Sequence, residues 1–189
     1  MEFTELRRKL ILKEFSRMND VQKRAVFGIN GATLILAGAG SGKTTVLVNR
    51  IAYMIKYGNA YESNFTYRVP TDADCKEIED LIENGGEPSF NLKSLLSVDA
   101  PKPWQILAIT FTNKAAREMK ERLSSILGEN VIKYMWVGTF HSICGRILRQ
   151  DIESYKNEEG QNSFIKRCIR KYQSFCRTSR RYTDAYCKA

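Results

Sequence analysis

Charges break up the apolar positions of the opening stretch MEFTELRRKLILKEFSRM, and Leu6, Leu10 and Phe15 fall near helical spacing, which predicts an amphipathic helix. The pattern then changes at Ala32–Ala37, ATLILA, a short continuous apolar run of the kind found in buried parallel strands. Behind it Val46, Leu47, Ile51 and Ile55 return to a helical period. The same switch from strand to helix occurs twice more, in LAITFTNKAAREMKERL (Leu107–Leu123) and in MWVGTFHSICGRILRQDI (Met135–Ile152). Strands are therefore expected near 32–37, 106–111 and 134–138. Strand alternating with helix predicts an α/β fold, a parallel sheet with helices on both faces.

Between the first and second of these units lies a stretch of a different kind, about 58–103. TDADCKEIEDLIENGG reads as a complete short helix: Thr71 or Asp72 caps it, Asp74 is in the first turn, Ile78, Leu81 and Ile82 form its stripe, and Asn84-Gly85-Gly86 stops it. SFNLKSLLSV repeats the pattern with Leu92, Leu95 and Leu96, and APKP leads to the next strand. Two such helices must cover each other or pack on the parent domain. The expectation is a peripheral helical insertion, either a docking surface for a protein partner or a surface insertion without a role.

Charge sharpens this division. The 189 residues carry a formal +9, which suggests a polyanionic partner. Between Gly58 and Pro103 there are nine acidic and four basic residues, a net −5 that leaves +14 for the rest and disqualifies the insertion as a polyanion site. The last stretch, Lys166–Ala189, holds eight basic residues against Asp184 alone, and reads equally as a solvated helix end or a nucleic-acid contact. NSFIKRCIRKYQSF, with Phe164, Ile165, Cys168, Ile169 and Tyr172, predicts a helix there. Five cysteines without a CxxC pair and one histidine argue against a zinc site and for free thiols in a reducing cytoplasm. No apolar run is long enough to span a membrane, and the charged N-terminus lacks the apolar core of a signal peptide.

The chemistry is concentrated at LILAGAGSGKTTVLVNR, Leu34–Arg50. Gly38, Gly40 and Gly42 let backbone N–H groups turn inward without a Cβ in the way, and the following helix adds the partial positive charge of its N-terminus. That arrangement holds a β-phosphate. Lys43 would reach the β- and γ-phosphates and Thr44 would offer its hydroxyl to Mg²⁺, which makes these two the candidate catalytic residues. The expected ATP-binding set is Ala37, Gly38, Ala39, Gly40, Ser41, Gly42, Lys43, Thr44 and Thr45, with Ala37 standing where the consensus has glycine. Upstream, MNDVQKRAV supplies Gln22, whose amide has one donor and one acceptor face and so matches the N6/N7 edge of adenine.

Taken in order, MNDVQKRAV, LAGAGSGKTTVLVNRIAYMI, TFTNKAAREM and TFHS resemble the glutamine motif, phosphate loop, motif Ia and motif Ib of the UvrD/Rep/PcrA family of superfamily 1 DNA helicases. The resemblance covers about residues 16–57 and 104–153. It implies a partial RecA-like P-loop NTPase domain in residues 1–153, and a helical segment over 154–189 that would begin a second subdomain. The family's activity is an ATP-driven motor that moves 3′ to 5′ along single-stranded DNA and separates duplex. Its motifs place Phe111, Thr112, Asn113 and Lys114, and Thr139, Phe140, His141 and Ser142, along the single strand. Hydroxyls, an amide and helix N-termini suit phosphate oxygens, and aromatic rings give bases a stacking surface. Read without the family, Phe111 and Phe140 also fit core aromatics at strand ends, and His141 a structural histidine. Thr45 departs from the arginine that often follows the Lys-Thr pair.

An ATPase needs a carboxylate on Mg²⁺ and a residue that orients the attacking water. The family supplies both from an Asp-Glu motif, and nothing after His141 fits one. The expectation is the N-terminal piece of a cytoplasmic ATP-dependent DNA helicase, binding ATP-Mg and single-stranded DNA and turning over slowly alone. The alternatives are the motor portion of a recombination helicase–nuclease subunit and a stand-alone, non-catalytic ATP- or DNA-binding module. All three β-to-α junctions should meet on one edge.

Overall fold

The computed structural model describes residues 2–38 and 40–152. Ala39, the helical segment expected over 154–189, its basic end and the cysteines at 168, 176 and 187 lie outside the described residues. The order of elements is α1 (Phe3–Glu14), α2 (Asp20–Phe27), α3 (Lys43–Tyr57), α4 (Asp72–Asn84), α5 (Phe90–Leu96), a 3₁₀ turn (Pro103–Gln105), β1 (Leu107–Thr110), α6 (Asn113–Leu127), α7 (Glu129–Ile132), β2 (Trp136–Thr139) and α8 (Phe140–Ile152). This is an α/β chain with a two-stranded parallel sheet, divided into two compact units. The first holds residues up to 106 together with 119–135, the second 107–118 and the described residues from 136 onward.

The first unit is helical. Leu6 and Phe15, expected on one face of the N-terminal helix, are buried with Phe3 and Ile11. They join Val26 and Phe27 from α2 and Val46, Tyr53 and Tyr57 from α3. Rings make the centre: Phe27 lies 5.0 Å from Tyr53 and 4.5 Å from Tyr61, and Phe15 meets Phe27 edge-on at 5.6 Å. Such pairs add about 0.5–1.5 kcal/mol each beyond burial. The Tyr53 phenol accepts the Tyr61 N–H at 3.1 Å, and burial pushes its pKa up to about 12. From α3, Leu47 is exposed and Ile55 half-buried, so only part of the expected stripe faces this core.

Both helices of the insertion form where the pattern placed them. Thr71 and Asp74 cap α4 reciprocally, α4 ends at Gly85, and the Ser89 hydroxyl accepts the Leu92 N–H to start α5. Of the two forms of cover the pattern allows, they take packing on the parent helices. Ile78, Leu81, Leu92, Leu95, Leu96 and Val98 belong to the same core as α1 to α3. The insertion leaves and returns at one point, a bridge between Gly58 and Val98 in which Asn59 N–H donates to the Val98 carbonyl at 2.7 Å. Gly58 has φ +57°, and a Cβ there would stand 2.0 Å from the Val98 oxygen, so only glycine fits this crossing.

Arg7 fastens the insertion to α1. It is fully buried, and its guanidinium donates to the carbonyls of Ser63 (2.6 Å), Phe65 (3.0 Å) and Leu95 (3.1 Å). Burial lowers its pKa, and its Nε is without a hydrogen-bond partner. The site is costly to build, and removing the guanidinium strands three carbonyls.

In the second unit, β1 and β2 pair in register from Leu107↔Trp136 to Thr110↔Thr139. Ala108 and Val137, opposite each other, are both buried, while Leu107 and Ile109 are exposed. These strands match two of the three expected. The third, 32–37, does not form: the segment has no regular structure, and Leu34 and Leu36 are 83% and 85% exposed. A strand exists only through its ladder to a neighbour, and among the described residues none pairs with this segment. Among the described residues, no helix is long and apolar enough to cross a membrane.

Two outcomes follow from this packing. Arg7→Met should cost about 3 kcal/mol in urea unfolding, because three carbonyls lose charge-assisted bonds, while Arg8→Met, which loses contacts to the Tyr61 carbonyl and exposed Asn64, should cost less. The second concerns acid. The Arg68 guanidinium, with both bonds at 2.7 Å, and the Thr71 N–H and hydroxyl hold the Asp74 carboxyl well below the usual carboxylate range. Its contribution is complete above the unfolded aspartate pKa of about 4 and is lost as pH falls below it. The stability gap between the parent chain and Asp74→Asn, followed by denaturation at a series of pH values, should be largest above pH ~5 and close as pH drops toward ~2.

Candidate nucleotide and nucleic-acid site

The phosphate loop lies in the first unit, between the irregular segment 32–38 and α3. Gly40 and Gly42 have φ of +76° and +80°, the left-handed region that turns successive N–H groups toward one side. Gly42 is the N-cap of α3. No side chain caps that helix, and its first turn holds no acidic residue. The leading N–H groups of a helix lack intrahelical partners, and its dipole favours negative charge there. The start of α3 is therefore suited to an anion.

The loop is also tied internally. Ser41 donates through its hydroxyl to the Gly38 carbonyl at 2.7 Å. The Lys43 ammonium folds back onto the carbonyls of Ala37, at 2.9 Å, and Gly38. Thr44 and Thr45 are exposed on the first turn of α3. Arg50, further along the helix, donates to the Ala25 and Gly28 carbonyls and to the Thr33 hydroxyl, fixing α3 against the end of α2 and the chain leading into the loop.

Gln22 sits at the third position of α2 and caps it reciprocally with Asn19. Gln22 N–H donates to Asn19 Oδ1 at 2.9 Å, and Asn19 N–H donates to Gln22 Oε1 at 3.2 Å. Its Nε2 donates to the Ser41 carbonyl at 3.4 Å. Both ends of the amide, read from sequence as faces for adenine, are directed to the helix cap and the loop. The sequence carried half of this signal, since Asn-x-x-Gln ahead of an apolar run is a capping box.

The residues fit a nucleoside triphosphate: a glycine loop, an uncapped helix start and an ammonium. For Mg²⁺ the fit is limited to the Thr44 hydroxyl, because among the described residues no three His, Cys, Asp or Glu side chains gather at one point. A separate cavity of about 760 Å³ in the first unit is lined by Leu10, Tyr57, Leu81, Leu96, Ile126 and Val131, among others. No residue of the phosphate loop lines it, and it is no part of the nucleotide site.

The other two junctions lie in the second unit, side by side at the C-terminal ends of β1 and β2, where Thr110 pairs with Thr139. Thr112 precedes α6, and its hydroxyl accepts the Ala115 N–H at 3.1 Å. Thr139 precedes α8, and its hydroxyl accepts the Ser142 N–H at 3.3 Å, while the Ser142 hydroxyl donates to the Thr139 carbonyl at 2.8 Å. Thr139 is buried, so its position makes it a helix cap. The remaining residues are outward. Phe111 is 93% exposed and Phe140 42% exposed, which removes both from the core. Asn113, Lys114, His141 and Ser142 are exposed with them. Two of the three expected junctions thus share one edge. The first is no β-to-α junction, because the strand before it is not formed.

The sequence model of the UvrD/REP helicase N-terminal domain matches residues 18–85 and 91–181. The chain is 42% identical over 138 residues to the ATP-dependent DNA helicase PcrA of Bacillus subtilis, a match covering 73% of this chain and 13% of the relative. The PcrA proteins of Leuconostoc citreum and Staphylococcus aureus are 39% and 38% identical over 137 and 138 residues, with the same 13% of their length covered. The chain thus spans about an eighth of those relatives, and it belongs to the UvrD/REP helicase N-terminal domain family.

Proposed function

We propose that this chain is the N-terminal ATP- and single-strand-binding part of an ATP-dependent DNA helicase that moves 3′ to 5′, acting on single strands and duplex junctions in the cytoplasm. The observation that carries this reading is the pairing of an anion-suited helix start at Gly42–Lys43 with membership of a helicase family. The fold that goes with it is a partial RecA-like domain.

In this reading Ala37 through Thr45 wrap the phosphates, with backbone N–H groups of the loop and of the first turn of α3 as donors. Lys43 would give up its loop carbonyls for β- and γ-phosphate oxygens, and Thr44 would hold Mg²⁺ through its hydroxyl. Bound ATP supplies the phosphoryl group whose transfer to water drives the motor. At the other site, Thr112–Lys114 and His141–Ser142 hold a DNA backbone by hydroxyl, amide and cationic contacts, and Phe111 and Phe140 stack on bases. Thr139 serves the same site by fixing the start of α8. The insertion takes no part in either site, since Ile78, Leu81, Leu92, Leu95 and Leu96 of its two helices are turned into the core of the first unit and it carries a net −5. Turnover needs a metal-binding carboxylate and a water-orienting group, and no Asp-Glu pair follows His141 in the 189 residues. The chain alone is accordingly a binder with slow hydrolysis.

Lys43→Ala should take binding of labelled ATP below detection while leaving oligothymidylate affinity within about twofold. Phe111→Ala should weaken oligothymidylate by roughly tenfold, the worth of one base stack, and Asn113→Ala by several-fold, both with ATP affinity unchanged. Fluorescence anisotropy reads both ligands. Loss of both affinities in every variant would indicate unfolding in place of two sites, and brisk DNA-stimulated hydrolysis by the parent chain would contradict the binding-only role.

A further inference from the structure

The cavity of about 760 Å³ in the first unit takes no part in the function proposed above, yet its size falls in the range of about 300–1,000 Å³ that holds small molecules. Its apolar walls come from parent helices and insertion alike: Leu10 of α1, Ile55 of α3, Leu81 of α4, Leu96 of α5, Leu127 of α6 and Val131 of α7. Three lysines stand in this lining, Lys13, Lys56 and Lys93, one each from α1, α3 and α5. Two of them are matched by acids that line the cavity with them. Lys56 meets Glu14 at 2.6 Å, and Tyr57 donates its hydroxyl to the other oxygen of the same carboxylate. Lys93 meets Glu87 at 3.3 Å. These pairs leave the third lysine as the net charge of the lining.

Lys13 is exposed, one turn along α1 from Leu10, and its ammonium donates to the Ile82 carbonyl in the last turn of α4. An ammonium carries three N–H groups, and a carbonyl takes one of them. Among the described residues no carboxylate pairs with this lysine. We propose that the cavity binds an amphipathic carboxylic acid, an apolar chain with a single anionic head, its tail among Leu10, Ile55, Leu81, Leu96 and Val131 and its carboxylate on Lys13. The complementarity is of lining and charge together. An apolar tail gains roughly fourfold in affinity for each methylene it buries, and one negative head answers the one lining cation that lacks an acid. A neutral head leaves that cation as it is, and a cationic head is repelled by it.

Dodecanoate, dodecanol and dodecylammonium share a tail and differ in the head. Each is titrated, below its micelle concentration and near neutral pH, into the isotopically labelled chain and its Lys13→Gln, Lys13→Arg and Val131→Trp variants, with melting temperatures alongside. In the parent chain dodecanoate should bind about tenfold more tightly than dodecanol, the worth of a charge-assisted hydrogen bond, and dodecylammonium most weakly. The amides of Gly85 and Gly86, which line the cavity, should shift with dodecanoate. Decanoate, two methylenes shorter, should bind about tenfold more weakly than dodecanoate. Lys13→Gln should bring dodecanoate down to the affinity of dodecanol and leave dodecanol within about twofold, while Lys13→Arg keeps the preference. Val131→Trp fills the cavity and should weaken all three ligands. Equal affinity for dodecanoate and dodecanol, or tighter binding of dodecylammonium, would overturn the inference. So would dodecanoate affinity unchanged in Val131→Trp, or shifts that bypass Gly85 and Gly86, a readout that holds even if the tryptophan variant does not fold. A parent chain that binds none of the three would overturn it outright.

Discussion

A helix begins with N–H groups that its own turns cannot satisfy, and how each helix here meets that demand organises the molecule. Side chains answer it at α2, α4, α5, α6 and α8, through Asn19, Thr71, Ser89, Thr112 and Thr139. Helices α1 and α7 lack such a cap but carry Glu5 and Glu129 in their first turns. Among the described α-helices, α3 alone has neither a side-chain cap nor a first-turn acid. Its start is turned by Gly40 and Gly42, with the Lys43 ammonium held on the Ala37 and Gly38 carbonyls. The physical need of α3 is for an anion, and in the function proposed above that anion is a triphosphate.

The two capped starts at β1 and β2 differ in kind. Because Thr112 and Thr139 each satisfy one first-turn N–H of α6 and α8, those junctions offer less concentrated positive character and more side-chain surface. Phe111, Asn113, Lys114, Phe140 and His141 provide it, level across a parallel strand pair. A site for a repeating, flexible polymer is better built from several modest contacts than from one deep charge. The edge of this sheet has that form.

Much of this was legible in local pattern. The cap, stripe and stop of α4 read correctly from Thr71 to Gly85, because those signals depend on neighbours a few residues away. What failed depended on distant partners. The run 32–37 has the composition of a buried strand, yet a strand is a relation between two segments, and Leu34 and Leu36 are exposed without one. Arg7 was invisible in a charged N-terminal helix, since only the return of the chain at Ser63, Phe65 and Leu95 makes it a buried clasp. For the same reason, amphipathicity showed that α4 and α5 needed cover but not that α1 would share their core. The motif alone places Thr139 along the DNA strand. Its burial shows that part of the motif builds the junction and part faces outward.

In the proposed function the loop at 40–45 takes triphosphate and the junctions at 111–114 and 140–142 take single-stranded nucleic acid. Backbone amide shifts of the isotopically labelled chain test it most directly, with ATP-Mg and oligothymidylate titrated separately. The expected result is that ATP-Mg moves the amides of Gly40 to Thr45 and oligothymidylate those of Thr112 to Lys114 and Phe140 to Ser142. Nucleotide shifts that bypass the start of α3, or oligothymidylate shifts confined to the first unit, would contradict it.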